Sequence, residues 1–469
     1  MKKVPEKFHL PLLLLITAIT RIPFIFDGYG VEEDSWGLVV NAFQMKKCGH
    51  YLASRFPGHP LQEYAYALIY NQPAWMYNAL SVLMSLIAVG FFYKAIRKME
   101  LQHSFIAALA FSFVPCFFIS GTYTIDFAWT MAFVMASFYF LLSGKNFLCG
   151  IMIGLAIGCR ITSGIFIVPW AILLFSKMDT VNWVKKIMII SIPAVIIGIL
   201  LYIPAYRVYG MSFFDYSDQF PYPPLAKVTY KASIGVFGLI GVAACGIFCV
   251  PAIRNFFRKE MNAVTLFSSE KLIAACLTIF ILLFISYLRL PQKSGYLVPS
   301  IPFTIIIFDV LLSKKHFRIF SILFILSPFL LSVNLTDQLR GAEHSKLSMT
   351  FHVSGQEIFI DPFSGPVFSE RSKRINKMNY VKEVLAAEHD MDYPHLIISG
   401  WWYNEIQTDF LQKGRGERKE FTFYSTCNEM DSARRNNSEI FYLPEQNLYN
   451  DQMFGQLCTD SLAKPFPEK

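Results

Sequence analysis

Residues 8 to 35 read Phe8-His-Leu-Pro-Leu-Leu-Leu-Leu-Ile-Thr-Ala-Ile-Thr-Arg21-Ile-Pro-Phe-Ile-Phe-Asp27-Gly-Tyr-Gly-Val-Glu32-Glu33-Asp34-Ser35. An apolar run long enough to cross a bilayer opens directly onto a cluster of carboxylates. The preceding Met1-Lys-Lys-Val-Pro-Glu-Lys7 gives the start the outline of a signal peptide. No small-x-small cleavage site comes before Arg21 and Pro23, so the run reads as a retained first span. Three successive acids at the mouth of a membrane helix are costly unless solvated or paired. Either they form a solvated turn capping a helix that starts near Ser35, or one of them is a general base or metal ligand in a membrane-facing cavity.

Moving outward, apolar runs recur near 8 to 26, 74 to 93, 104 to 121, 127 to 142, 147 to 159, 162 to 176, 187 to 206, 234 to 253, 272 to 288, 296 to 312 and 319 to 334. These predict about eleven transmembrane helices, with a break or kink at Arg160-Ile-Thr-Ser-Gly164. Of the 469 residues, 54% are hydrophobic and 16% charged, against about 25% charged in ordinary soluble proteins. A cytosolic globular enzyme is excluded. The fold class expected is an α-helical polytopic membrane protein over 1–334 with a small C-terminal α/β soluble domain over 335–469.

Charge placement orients the chain. The formal net charge is +8; residues 1–334 carry +13 and residues 335–469 carry −5. With the N-terminus inside, the inner segments hold 17 Lys and Arg and the outer membrane-side segments 10, counting Arg21 near the outer end of the first span. That bias puts the N-terminus in the cytoplasm and the C-terminal domain outside, in a multi-pass plasma (inner) membrane protein. The basic balance therefore records topology and calls for no nucleic-acid partner. In the outer domain, Asn379 to His389 has helical spacing. His395 to Trp402, Glu420 to Ser425 and Glu439 to Leu443 read as strands. Trp401 and Trp402 read as core at one of the two positions at least, and otherwise as a sugar platform. Cys427 and Cys458 share the outer compartment and could form a disulfide. The remaining cysteines lack metal spacing, Cys245 and Cys249 reading as packing.

The longest loop of the membrane half, 27–73, concentrates charge and aromatics. It continues Gly49-His-Tyr-Leu-Ala-Ser-Arg55-Phe-Pro-Gly-His59-Pro-Leu-Gln-Glu63. Asp126, in the short link Gly121-Thr-Tyr-Thr-Ile-Asp126, belongs to the same outer face, and either it or Thr124 is placed to cap the following helix. Cations stand there against the positive-inside trend: Arg160 in the break, Arg207, Lys227 and Lys231, and Arg289 with Lys293 in Arg289-Leu-Pro-Gln-Lys293-Ser-Gly-Tyr296. Lys227 and Lys231 read as snorkelling side chains. Arg160 and Arg289, beside Gly and Pro, suit a lipid phosphate equally well. Gly150-x-x-x-Gly154-x-x-x-Gly158 reads as close helix packing.

The succession of Glu33-Asp34 through Gly49-His-Tyr51, Arg55-Phe-Pro-Gly-His-Pro-Leu-Gln-Glu63, Thr124-Ile-Asp126, Gly154-Leu-Ala-Ile-Gly-Cys-Arg160 and Gly295-Tyr-Leu-Val-Pro-Ser-Ile-Pro-Phe303 resembles the GT-C superfamily of membrane glycosyltransferases. That superfamily includes protein O-mannosyltransferases and the aminoarabinose transferases of lipid A. The resemblance covers roughly residues 10 to 310 and concerns order and topology more than identity. It implies a polyprenyl-phosphate-linked sugar as donor, a glycan, lipid or protein acceptor entering from outside, and no resident cofactor, with divalent-metal dependence left open. Asp34 matches the first-loop acid that acts as base or orients the acceptor, with Glu33 as the fallback, and Asp126 matches the second family acid. Arg160, Arg289, Lys293 and Tyr296 would face the donor phosphate, and Arg55, His59 and Glu63 the acceptor side of the loop. Two departures stand out: many members have Asp-Glu where Asp34-Ser35 stands, and an acid often found in the late motif appears as Gln292 or Lys293. The reaction expected is a single inverting displacement at the sugar C1. The competing readings are a transporter or flippase of lipid-linked sugars, whose fold would show two related halves with matching helix breaks, and an inactive scaffold.

Overall fold

A computed structural model describes residues 5–101, 103–176, 178–214, 222–335, 347–353, 356–391, 393–443 and 463–467. The first span is α1 (His9–Arg21) flanked by 3-10 turns, and the acidic loop folds as α2 (Glu33–Cys48) and α3 (Pro60–Leu68). The membrane half continues with α4 (Ala74–Lys98), α5 (Ser104–Phe113), α6 (Pro115–Ser120), α7 (Phe127–Leu142), α8 (Asn146–Cys159), α9 (Ile167–Leu174) and α10 (Thr180–Tyr209). After these come α11 (Leu225–Ala232), α12 (Ile234–Phe257), α13 (Ser269–Arg289), α14 (Ile301–Leu311) and α15 (Lys314–Leu326). Among the described residues, six helical segments are long and apolar enough to cross a membrane, and four shorter apolar helices accompany them. The chain is an integral membrane protein.

Proline and polar breaks explain why the helices are shorter than the hydropathy runs. Pro115 restarts the third run as a separate helix after extended Val114. Arg160 is fully extended, ending α8, and a 3-10 turn over Ile161–Phe166 precedes α9, so the pair is broken rather than kinked. The 319 to 334 run is corrected: α15 stops at Leu326, and Ser332–Leu335 is strand β1. Hydropathy alone does not distinguish an apolar helix from an apolar strand that follows it after a turn.

The glycine stripe packs as its spacing indicates. A Cβ on Gly154 would sit 2.6 Å from Ile197 Cβ, and one on Gly150 or Gly158 would collide with Ile190 and Pro193 or with Leu201, all on α10. Close approach of the two backbones is what holds α8 against α10. Gly154→Leu is expected to force them apart and cost about 1–3 kcal/mol or more, read as a lower thermal midpoint of the purified protein. An unchanged midpoint would show that α10 yields easily. Deeper in the bundle, Trp170 stacks on Phe138 at 5.0 Å between centroids and meets Phe303, tying α9, α7 and α14 together.

The C-terminal part opens on β1 (Ser332–Leu335), β2 (Met349–Val353) and β3 (Gln356–Asp361), an antiparallel sheet of order β1-β3-β2. Helix α16 (Pro366–His389) follows, longer than the stretch its spacing indicated. Next come β4 (His395–Ile398), α17 (Tyr403–Gln412), β5 (Phe421–Thr422), α18 (Cys427–Arg435), β6 (Glu439–Tyr442) and β7 (Lys464–Pro465). These four strands form a parallel sheet ordered β5-β4-β6-β7, with α17 and α18 as the crossovers from β4 to β5 and from β5 to β6. Trp402 is buried in its core, against Tyr380 at 4.5 Å, whereas Trp401 packs edge-on to Phe423. The Cys427 to Cys458 pairing lies outside the described residues.

Candidate active site

Asp34 sits in the first turn of α2 and Asp126 immediately precedes α7, yet neither side chain caps its helix. Thr124 does not cap α7 either; its hydroxyl donates to Asn78 Oδ1 at 2.9 Å. Both acids are engaged by cations instead. Lys293, in the turn after α13, lies 2.7 Å from Glu32 Oε2 and also contacts Asp34. Arg55 reaches from the acidic loop with Nη1 3.0 Å from Asp34 Oδ2 and Nη2 2.5 Å from Asp126 Oδ1. Arg160 Nη1 takes the other Asp126 oxygen at 2.7 Å, and its guanidinium lies 4.2 Å above the Tyr296 ring. The result is an unbroken line of alternating charge, Glu32, Lys293, Asp34, Arg55, Asp126, Arg160, drawn from segments up to 261 residues apart.

Two buried groups hold this line in place. Glu63 accepts four hydrogen bonds, from the Tyr51 hydroxyl (2.5 Å), the Ser54 amide (2.8 Å) and hydroxyl (2.6 Å), and the His59 amide (2.9 Å). It therefore braces the turn that presents Arg55 and does not itself touch the charged line. His59 Nδ1 lies 2.6 Å from the Cys159 carbonyl. A carbonyl only accepts, so Nδ1 carries the proton and fastens the Arg55 turn to the break that orients Arg160. Burial, with Arg55 second, pushes His59 below its ordinary value, leaving it neutral at pH 7 and not an ion-pair partner of Asp126 despite a 3.8 Å approach.

Electrostatics assign different tasks to the two aspartates. Burial acts to raise the carboxyl of Asp34, but Arg55 and then Lys293 outweigh it and hold the group well below the usual carboxylate range. Asp126 is likewise penalised by burial and rescued by Arg160, coming down to about 2. The same pairings push Arg55 and Lys293 up, against burial. Asp126 has no exposed side-chain surface, whereas Asp34 keeps 22%. Asp126 is thus the buried clamp between two guanidinium groups, and Asp34 is the one of the two carboxylates that keeps open surface.

The other sequence candidates fall beside this line. Tyr296 supplies the face under Arg160. Arg289 is exposed at the end of α13, outside the ion pairs formed among the described residues. Glu33 lies close enough to Glu405 of the C-terminal domain for its charge, after burial, to oppose ionisation there. Lys231 does not snorkel; it donates to the Gln292 carbonyl and steadies the turn that carries Lys293. Glu32 had no distinguishing signal within a run of three acids. Among the described residues no group of three His, Cys, Asp or Glu is arranged to hold a metal ion.

Residues 59–206 match the family model described as dolichyl-phosphate-mannose-protein mannosyltransferase. No curated protein sequence matches the chain. Among solved structures, ArnT from Cupriavidus metallidurans bound to undecaprenyl phosphate is similar at 15% identity and a TM-score of 0.47, over 66% of this chain and 62% of that one. The Archaeoglobus fulgidus oligosaccharyltransferase tethered with an acceptor peptide is similar at 10% identity and a TM-score of 0.45, over 86% of this chain and 63% of that one. The chain thus spans under two thirds of the length of these solved structures. The matched segment, about a third of the chain, contains His59, Glu63, Asp126 and Arg160, and over that segment the chain is similar to the dolichyl-phosphate-mannose-protein mannosyltransferase family.

Proposed function

We propose that the chain transfers a sugar from a polyprenyl-phosphate donor to an acceptor hydroxyl, with Asp34 as base, on the non-cytoplasmic face indicated by the loop charges. The observation that carries this reading is the convergence of Arg55, Arg160 and Lys293 on Asp34 and Asp126 at one end of the helices. A hydroxyl ionises far above pH 7, so its attack on C1 needs a carboxylate to take the proton as the bond forms. The bond from C1 to the phosphate oxygen breaks with its electron pair staying on the phosphate. Cations in a site shielded from bulk water stabilise that developing charge. The family match supports a lipid-linked donor.

The line of charge holds three acids and three cations, so no cation is spare for a phosphate. A donor phosphate therefore competes with Asp34 for Lys293 and Arg55. Arg55 Nη1 is buried and faces Asp34 without hydrogen-bond geometry, leaving a donor that a phosphate oxygen can take up. Once these cations turn to the phosphate, Asp34 loses the neighbours that keep it weakly basic, and its proton affinity rises. The pH profiles follow with a definite sign. The acid limb of kcat, which reports the donor-bound enzyme, should lie at higher pH than any limb that Asp34 contributes to kcat/KM. Coincident limbs would contradict the exchange.

The transfer itself is tested by reconstituting the purified protein in lipid and supplying a panel of polyprenyl-phosphate-linked sugars with envelope extracts as acceptors. Release of polyprenyl phosphate together with labelling of an acceptor is the expected result. Donor movement across the bilayer without bond cleavage would favour a flippase instead.

A further inference from the structure

Six carbonyls of the backbone between the first span and α2 are held by side-chain and main-chain donors. The Phe24 carbonyl accepts from Arg374 Nη1 (3.2 Å), Ile25 and Gly28 from Asn78 Nδ2 (2.8 Å each), and Tyr29 from the Thr124 amide (2.9 Å). Gly30 accepts from Trp36 Nε1 (2.9 Å) and Val31 from Lys377 Nζ (2.8 Å). Buried carbonyls are ordinarily paired, but here the first and last partners come from α16, a helix of the C-terminal domain. Arg374 does more than hold Phe24. The same guanidinium donates to the Thr122 carbonyl (3.3 Å) and hydroxyl (3.1 Å), four residues before Asp126, and lies 5.0 Å over the Tyr123 ring. One side chain therefore ties together the two segments that end in Asp34 and Asp126. Lys377 fixes the carbonyl three residues before Asp34 and pairs with fully buried Glu405 of α17.

Neighbouring contacts continue the same seam. Arg371 Nε lies 2.9 Å from Asp27, Met378 packs against Gly28, and Asn404 lies against Gly37 of α2. Gly28 has a φ of +79°, which favours glycine, and a Cβ there would crowd the Met378 side chain. Arg374 and Lys377 are each about 3% exposed. Such long cations are rarely buried without a task, and neither touches the charged line.

From this geometry we infer that Arg374 and Lys377 are positioning residues through which the C-terminal domain sets the relative placement of Asp34 and Asp126. The inference rests on the transferase reading for its consequence in catalysis, but not for the contact itself. A misplacement of about 1 Å at reacting groups costs about 10²-fold in rate.

The test uses the full-length protein with Arg374→Met, and with Lys377→Met combined with Glu405→Gln so that no buried carboxylate is left unpaired. Two readouts are taken on each. Hydrogen exchange over residues 24–36 is expected to speed up while exchange in α8 and α10 stays as in the wild type. In the transfer assay, kcat is expected to fall about 10²-fold with the donor KM within about threefold, and Lys377→Arg is expected to recover most of the kcat. Unchanged exchange over 24–36 in both variants overturns the positioning contact, whether or not the protein is a transferase. Faster exchange with unchanged kcat overturns its catalytic role. If the wild type transfers no lipid-linked sugar, the exchange result alone decides, and faster exchange then supports the seam while the transferase reading falls.

Discussion

Asp34→Asn protein should reach the membrane and purify like the wild type while losing transfer by about 10² to 10⁴-fold, the usual contribution of a general base. The amide is nearly isosteric, so the loop should keep its path. What disappears is the lone pair that takes the hydroxyl proton, together with the negative charge between Lys293 and Arg55. The second loss sharpens the test. Freed of Asp34, those cations should hold a phosphate at least as well as before, so the donor KM should stay level or fall while kcat collapses. A variant that loses activity only through a raised donor KM would show Asp34 to be part of donor binding and not the base. Full activity in Asp34→Asn would move the base elsewhere, and full activity after adding Glu33→Gln would remove the acidic triplet from the chemistry.

The other large effect concerns stability. Asp126→Leu leaves Arg55 and Arg160 facing each other with no shared carboxylate in a site where Asp126 had no exposure. Removing one member of a buried ion pair costs about 3–5 kcal/mol, because the partner charge stays desolvated. The expected result is a markedly lower thermal midpoint in detergent, measured by intrinsic tryptophan fluorescence, in addition to lost transfer. Wild-type stability should also depend on pH with a fixed sign. Asp126 is held at about 2 in the folded protein, below the unfolded value of about 4. Its contribution is therefore complete above the ordinary carboxylate range and is lost as pH falls from about 4 through about 2. A midpoint in Asp126→Leu equal to the wild type would mean that water or another acid replaces the clamp.

Particular residues show where the sequence was sufficient and where it was not. The long runs of α4, α10, α12 and α13 are legible because a membrane span must be apolar over its whole length. Asp34, Asp126, Arg160 and Lys293 are legible for the opposite reason, since charge at that face is expensive and needs a cause. The pairings among them are not legible: Lys293 and Asp34 are 259 residues apart, and nothing in hydropathy brings the turn after α13 to the start of α2. Arg289 and Lys293 look equivalent in the sequence, yet one is exposed and the other joins the line. Arg371, Arg374 and Lys377 recur at helical spacing on a polar helix, a pattern that ordinarily means a solvated face. Only the packing of α16 on the loop shows Arg374 and Lys377 to be buried there, while Arg371 stays exposed. The fate of residues 319 to 334 has a related origin, since the apolar run continues through Pro328-Phe-Leu-Leu331 past the end of α15 and hides where the helix stops.

The most direct test of the charged line as a donor-phosphate site is a cryo-electron microscopy structure of the protein in lipid nanodiscs with polyprenyl phosphate. The expected result is phosphate density in hydrogen-bonding range of Lys293 and Arg55, about 3 Å, with Asp34 drawn away from Lys293 and Asp126 still clamped between Arg55 and Arg160. Phosphate bound at another face of the helices, with the Lys293 to Asp34 pair intact, would contradict it.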